Sequence, residues 1–152
     1  MNLGQMVDRT TDTSSLHLRV RATPQSAIEL RERLGDWLDE VGALPDEAFD
    51  ITLACSEAYA NAIGHPLKPA TLIVEVSGTI ENRLLTLVVR DYACSRPQRD
   101  EEEVALFLRL MQSLMESAQV HQERDGSSLV LQRLLRVGIA GRRASETYTH
   151  DA

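Results

Sequence analysis

Aromatic residues are scarce in this chain: tryptophan, tyrosine and phenylalanine together make up 4% of its 152 residues. Since hydrophobic residues of all kinds reach 43%, the core must be filled by leucine, valine, isoleucine and alanine. Cysteine is as sparse. Cys55 and Cys94 are the two present, too few for the framework of a small secreted domain, and neither stands in a C-x-x-C pair of the kind that binds zinc. A single disulfide stays open at this stage. No run approaches the ~18 apolar residues of a spanning helix, and the first residues carry no charged-then-apolar leader pattern. These absences lead us to expect a cytoplasmic protein with no membrane partner. Basic charge is also short, with 16 Lys and Arg against 23 Asp and Glu for a net charge of -7. Binding a nucleic-acid backbone needs clustered Lys and Arg, so no direct nucleic-acid partner is expected, and Arg142-Arg143 is too short to be a patch. One small anion, such as a nucleotide, stays compatible because a few backbone N–H groups suffice to hold it.

What is present is a globular composition at single-domain length. Residues 1–15 are polar and rich in Thr, Asp and Ser, which predicts a flexible arm. Leu16 to Val20 alternates apolar and polar, as a half-buried strand does. Thr23-Pro24 opens a helix whose apolar side is marked by Ile28, Leu30, Leu34, Trp37, Leu38 and Val41, with Gly42 ending it. Pro45 opens a second helix, with Ile51, Ala54, Cys55, Ala58 and Ala62 as its stripe and Gly64-His65-Pro66 stopping it after Ile63. Thr71 to Ile80 and Arg83 to Arg90 read as a hairpin across Glu81-Asn82. Asp91 to Glu103 is a polar connection, and Val104 to about Glu116 a third helix. Ala118 to Glu123 and Ser127 to Leu135 form a second hairpin around Asp125-Gly126, followed by a tail over 136–152. The order implies an α+β, two-layer sandwich spanning 16–135: a mostly antiparallel sheet with helices on one face. Neither an internal repeat nor a low-complexity segment interrupts it.

Two places carry candidate chemistry. Glu57 and Asn61 lie four apart on the second helix and so share a face, beside its apolar stripe. A carboxylate and an amide at the edge of a buried face need partners; a nucleotide, a metal ion or ordered water would serve, and so would plain exposure to solvent. Val88-Val-Arg-Asp-Tyr92 ends a strand in Asp91, entering a polar loop. Strand ends commonly carry ligand-directed carboxylates, although a turn-forming Asp fits as well. His17, His65, His121 and His150 have no metal-binding spacing.

Taken together, these residues resemble the GHKL ATPase superfamily. Glu57-x-x-x-Asn61, followed by Ala62 and His65, is similar to its N-box, and "LACSEAYANAIGHP" is especially similar to the bacterial anti-sigma-factor serine kinases. Val89-Arg-Asp91 stands where that family has its first glycine box. Leu108 to Val120 is similar to the family's LxLMRxLMDxVxV stretch, and "DGSSLVLQRLL" resembles its closing hairpin, with Ser127 in a Thr position. The resemblance runs in order from about Leu16 to Leu135. It implies a Bergerat-type fold, ATP and Mg²⁺ as cofactors, and roles for single residues. Glu57 would position or activate the attacking group, Asn61 would ligate the metal, and Asp91 would receive the adenine amino group with Ser127 assisting. It also implies a sigma factor and an anti-anti-sigma antagonist as partners, phosphorylated on serine in the kinase members, and a homodimer.

The match departs at both glycine boxes. Ala93 and Ser95 stand where the first has glycines, and Ala105 and Phe107 where the second has them. Glycine there allows positive φ or a close backbone approach, which a Cβ opposes. The acidic run Asp100 to Glu103 precedes the second box and would repel a triphosphate. The expectation is thus an anti-sigma-like regulator whose adenine and metal side is kept and whose phosphate side is eroded. It acts either as an ATP-dependent serine protein kinase or as a non-catalytic binding module. A detached sensor-kinase ATPase domain would need a longer lid than Asp91 to Val104 offers, and a ligand-free dimerising scaffold is the plainest rival.

Overall fold

The computed structural model describes residues 15–63, 72–92 and 100–136. Along the chain come β1 (Ser15–Arg21), α1 (Pro24–Glu40), α2 (Pro45–Ile63), β2 (Ile73–Glu81), β3 (Leu84–Asp91), α3 (Glu101–Leu114), β4 (Ser117–Glu123) and β5 (Gly126–Leu134). Of the arm expected over 1–15, Ser15 instead begins β1; its residues 1–14, the Gly64-His65-Pro66 stop, the loop with Ala93, Cys94 and Ser95, and the tail from 137 lie outside the described residues.

Local chemistry sets the helix ends. Thr23 caps α1 through a capping box: its Oγ1 accepts from the Ser26 N–H at 3.2 Å, and the Ser26 Oγ accepts from the Thr23 N–H at 2.9 Å. Pro24 at the first helical position needs no N–H partner. At the far end Gly42 takes φ 84, while the Ala43 N–H donates to the Leu38 carbonyl and the Gly42 N–H to that of Asp39. That is a Schellman ending, which the glycine makes cheap. α2 has no hydroxyl at its cap. Instead Glu47, fully buried, accepts from the Leu44 N–H at 3.0 Å and, with its other oxygen, from the Arg136 N–H at 2.8 Å. One carboxylate thereby closes the start of α2 and ties it to the end of β5.

The structure moves four expected boundaries. The first hairpin turns at Asn82-Arg83, both at positive φ (50 and 70), because Glu81 pairs with Leu84; this is the two-residue turn that matches strand twist. The second turns at Arg124-Asp125, with Glu123 opposite Gly126. α3 begins at Glu101 rather than Val104 and ends at Leu114 rather than Glu116, with Asp100 as its cap. Its acidic run is a first turn, where carboxylates meet the positive end of the helix dipole. Ile28, expected on the buried side of α1, is 52% exposed; at ~100° per residue it points about 200° away from Leu30.

The sheet has five strands in the order β1-β2-β3-β5-β4, every neighbouring pair antiparallel. The second hairpin folds so that β5 joins β3 and β4 becomes an edge. Register places Leu18, Val76, Val89 and Leu129 in a row on one face, and Gly78, Leu87, Leu131 and Ala118 in the next. The helices cover that face and contribute Leu30, Leu34, Trp37, Leu38, Ile51, Ala54, Cys55 and Tyr59 to a single core. The result is the expected two-layer α+β sandwich. Arg133, inward-facing on β5, is satisfied by Asp50 of α2 at 3.0 Å and by the Leu114 carbonyl of α3 at 2.6 Å.

Two glycine substitutions should shift stability in opposite directions. A Cβ on Gly78 would lie 2.8 Å from Trp37 ring carbons, so Gly78→Ala should cost about 1–3 kcal/mol through overpacking. A Cβ on Gly35, inside α1, would meet nothing within 4 Å, so Gly35→Ala should gain about 0.5–1 kcal/mol. Thermal melts of both variants check this. Cys55 is free and fully buried, and burial pushes its thiol up to about 12. It should resist alkylation by iodoacetamide in the native protein and react once the chain is unfolded in denaturant; rapid native-state labelling would contradict this packing.

Candidate functional site

Three of the residues singled out in the sequence meet at one rim of the core. Asp91 is the last residue of β3 and Ser127 lies directly opposite it on β5. Both point to the helix side, one step beyond the pair Val89 and Leu129. Asp91 is 3% exposed, and the Ser127 Oγ donates to its Oδ2 at 2.9 Å. Asn61, half-buried in the last turn of α2, comes down from the other layer. These three side chains, Gln122 of β4 and Ser128 of β5 are the polar lining of a cavity of about 60 Å³. Val104 and Phe107 of α3 close it from the side, and the remaining walls are apolar.

Glu57 stands apart. It sits one turn before Asn61, exposed, and does not line the cavity. Ala93 lies outside the described residues. Gln122 and Val104 were not singled out in the sequence, because only the β4–β5 pairing and the packing of α3 bring them here.

The donor set can be tested against a nucleotide and its metal. A buried carboxylate, oriented by a serine hydroxyl and set among apolar walls, suits a flat heteroaromatic base that offers an amino group. For a metal, no group of three or more His, Cys, Asp or Glu side chains converges among the described residues. Asn61 would therefore be one neutral ligand, and the other oxygens would have to come from phosphates and water. On the phosphate side, α3 offers the carboxylates of Asp100, Glu101, Glu102 and Glu103, which repel an anion more than the helix dipole attracts it. The described residues fit the base and leave the phosphates poorly held.

Behind Asp91, on the uncovered face of the sheet, lies a network that the sequence did not reveal. Tyr92 donates its hydroxyl to Glu75 at 2.7 Å, and His17 meets the other Glu75 oxygen at 2.7 Å. The guanidinium groups of Arg19 and Arg90 lie 5.0 and 4.7 Å from the Tyr92 ring centroid. Arg90 is held in turn by Glu123 and Asp125. The Tyr92 hydroxyl, and after it His17, hold the Glu75 carboxyl below its ordinary range, while that same hydrogen bond pushes the Tyr92 phenol up. This network braces the residue that follows Asp91. The members lie far apart in the chain, and only strand register collects them.

A depressed carboxylate stabilises the fold above its unfolded value near ~4.3 and loses that contribution as pH falls through its folded value. Glu75→Gln should therefore lower the melting temperature at pH 7 and leave wild type and variant converging as pH falls from about 4.3 through the depressed folded value. Parallel melting curves down to the acid limit would sink this account.

Comparison with known proteins follows the geometry. A family model described as a histidine kinase-like ATPase domain matches residues 20–133. Anti-sigma F factors of Clostridium acetobutylicum and Clostridium kluyveri are each 24% identical to this chain, covering 79% and 80% of it and 93% and 94% of their own lengths. Among solved structures, the RsbU and RsbW domains of a Mycobacterium tuberculosis protein superpose with a TM-score of 0.66 at 24% identity over 80% of this chain. This chain spans 32% of that one. The SiaB-SiaC complex from Pseudomonas aeruginosa gives a TM-score of 0.55 at 17% identity, covering 86% of this chain and 96% of the other. These two likenesses are of fold. With 20–133 matched, the chain belongs to the histidine kinase-like ATPase domain family.

Proposed function

We propose that this chain is an anti-sigma-type regulator that binds an antagonist protein of the anti-anti-sigma class, and that the Asn61–Asp91–Ser127 cavity is its nucleotide site. The observation that carries the site is the buried Asp91–Ser127 pair facing Asn61. The anti-sigma relatives, matched along more than nine-tenths of their length, support the regulatory reading. A sigma factor is the second protein partner; the chain works in the cytoplasm as a homodimer.

In this reading Asp91 accepts a hydrogen bond from an adenine amino group, and Ser127 holds the carboxylate in the orientation that does so. Asn61 ligates Mg²⁺, which when bound offsets phosphate charge. Glu57, exposed one turn away, is where a serine of the antagonist would be received and activated. A second reading, binding without phosphoryl transfer, is favoured by one feature: the acidic first turn of α3 stands where a phosphate grip would be needed.

Calorimetric titration with Mg-ATP tests the site. Binding should weaken by about 10-fold to 100-fold in Asp91→Asn, the effect of about 1.4–2.8 kcal/mol expected when a charged hydrogen-bond acceptor is lost. Asn61→Ala should abolish the Mg²⁺ dependence. Unchanged affinity in Asp91→Asn would end the nucleotide reading. The protein-binding reading is tested separately, by capture of an anti-anti-sigma protein from the host on the immobilised full chain and titration of the purified pair. Transfer of labelled phosphate to a serine of that partner separates kinase from binder.

A further inference from the structure

The cavity at Asn61, Asp91 and Ser127 is smaller than the ligand assigned to it. Its volume of about 60 Å³ falls well short of the ~300 Å³ at which ordinary ligand pockets begin, so one wall has to yield before a base can enter. The sheet wall, with Val89 and Leu129, is held by strand pairing on both sides of β3 and of β5. The α2 wall belongs to a helix that buries a side chain in every turn from Glu47 to Ala62. The third wall is Val104 and Phe107 of α3.

That third wall is secured at one end only. Met111 is the buried residue of α3, the Leu114 carbonyl accepts from Arg133 at 2.6 Å, and Met115, just past the helix, is buried again. Before Met111 the burial fades. Val104, Phe107 and Leu108 are half-buried, while Ala105, Leu106 and the three glutamates that open the helix are exposed. The side-chain hydrogen bond at this end is local, from the Glu102 N–H to the Asp100 carboxylate at 3.2 Å. Among the described residues, no side-chain hydrogen bond or ion pair ties 101–108 to another element. Segments with few buried contacts open at the least free-energy cost. From this arrangement we infer that the first two turns of α3 are an autoinhibitory plug: residues 101–108 uncoil, with Met111 as the fixed end, to admit the base, and coil again over the empty site. Uncoiling withdraws Val104 and Phe107 from the cavity and frees backbone N–H groups that the helix keeps paired, which suits an anionic ligand. The inference rests on the nucleotide reading of this cavity and concerns its regulation.

The test is calorimetric titration of Mg-ATP into the wild-type chain and into paired variants at two exposed positions that do not line the cavity. Leu106→Ala and Leu106→Gly lie in the plug; Gln112→Ala and Gln112→Gly lie in the last turn of α3. Glycine weakens a helix relative to alanine by a similar amount at either place, and thermal melts verify folding. Apparent affinity is reduced by the fraction of chains in the binding-competent state. Leu106→Gly should therefore bind Mg-ATP about 4-fold to 5-fold more tightly than Leu106→Ala, and the Gln112 pair should bind alike. A merely structural role would leave affinity level or lower it in the glycine variant. Level or weaker binding by Leu106→Gly overturns the plug, as does an equal gain in Gln112→Gly. If the wild-type chain meanwhile binds Mg-ATP in an Asp91-dependent manner, the nucleotide reading stands and this inference alone fails. If neither the wild-type chain nor any variant binds, the inference and the nucleotide reading fall together.

Discussion

The pairing of β3 with β5 is the contact on which the rest of the molecule depends. It joins two hairpins that are separated in sequence by α3 and converts them into one five-stranded sheet. It sets Leu87 opposite Leu131 and Val89 opposite Leu129, so the centre of the core is continuous. It also sets Asp91 opposite Ser127, one pair beyond the last apolar row. A slip of one residue would turn every side chain of β5 to the other face. Burial of Leu129 and Leu131 prevents that slip, so the same apolar contacts that stabilise the core also hold the serine against the aspartate.

The end of β5 is secured by charge. Arg133 answers Asp50 and the last carbonyl of α3, while the backbone of Arg136 answers the buried carboxylate of Glu47. A carboxylate out of water is costly unless its oxygens are hydrogen-bonded, and both Glu47 oxygens are. These contacts fasten α2 and α3 to the strand that carries Ser127. From the last turn of α2, Asn61 lines the same cavity as that serine.

Acidic and apolar features divide the site into unlike halves. Toward the sheet, Asp91 and Ser127 form a directed acceptor in a buried setting. Toward α3, the wall is Phe107 and Val104, with carboxylates on the turn above. Helix propensity explains the second half: a run of Glu, Val, Ala, Leu and Phe after an Asp cap lowers its energy by coiling. A glycine-rich loop would instead leave backbone N–H groups facing a ligand. The segment therefore supplies side chains where a loop would supply amides. On the far side of the sheet the Tyr92 network stiffens the strand end without entering the cavity.

Much was legible in the sequence because it is written locally. Capping residues and glycines placed both ends of α1, prolines opened α1 and α2, alternation marked β1, and β-rich runs around turn residues marked the two hairpins. The spacing of Glu57 and Asn61 and the terminal place of Asp91 made them candidates before any contact was known. Turn positions were read one residue off, because the turn is chosen by pairing across the hairpin rather than by the turn residues alone. The start of α3 was hidden because an acidic run serves a loop and a helix start equally well. What only the tertiary structure decided is long-range: that β5 inserts beside β3, that Ser127 bonds Asp91 while Glu57 stays outside, that Glu47 is buried, and that Phe107 lines the cavity. The physical reason is that periodicity determines which face of an element is apolar, whereas the neighbour that covers that face is determined by the packing of all the elements at once.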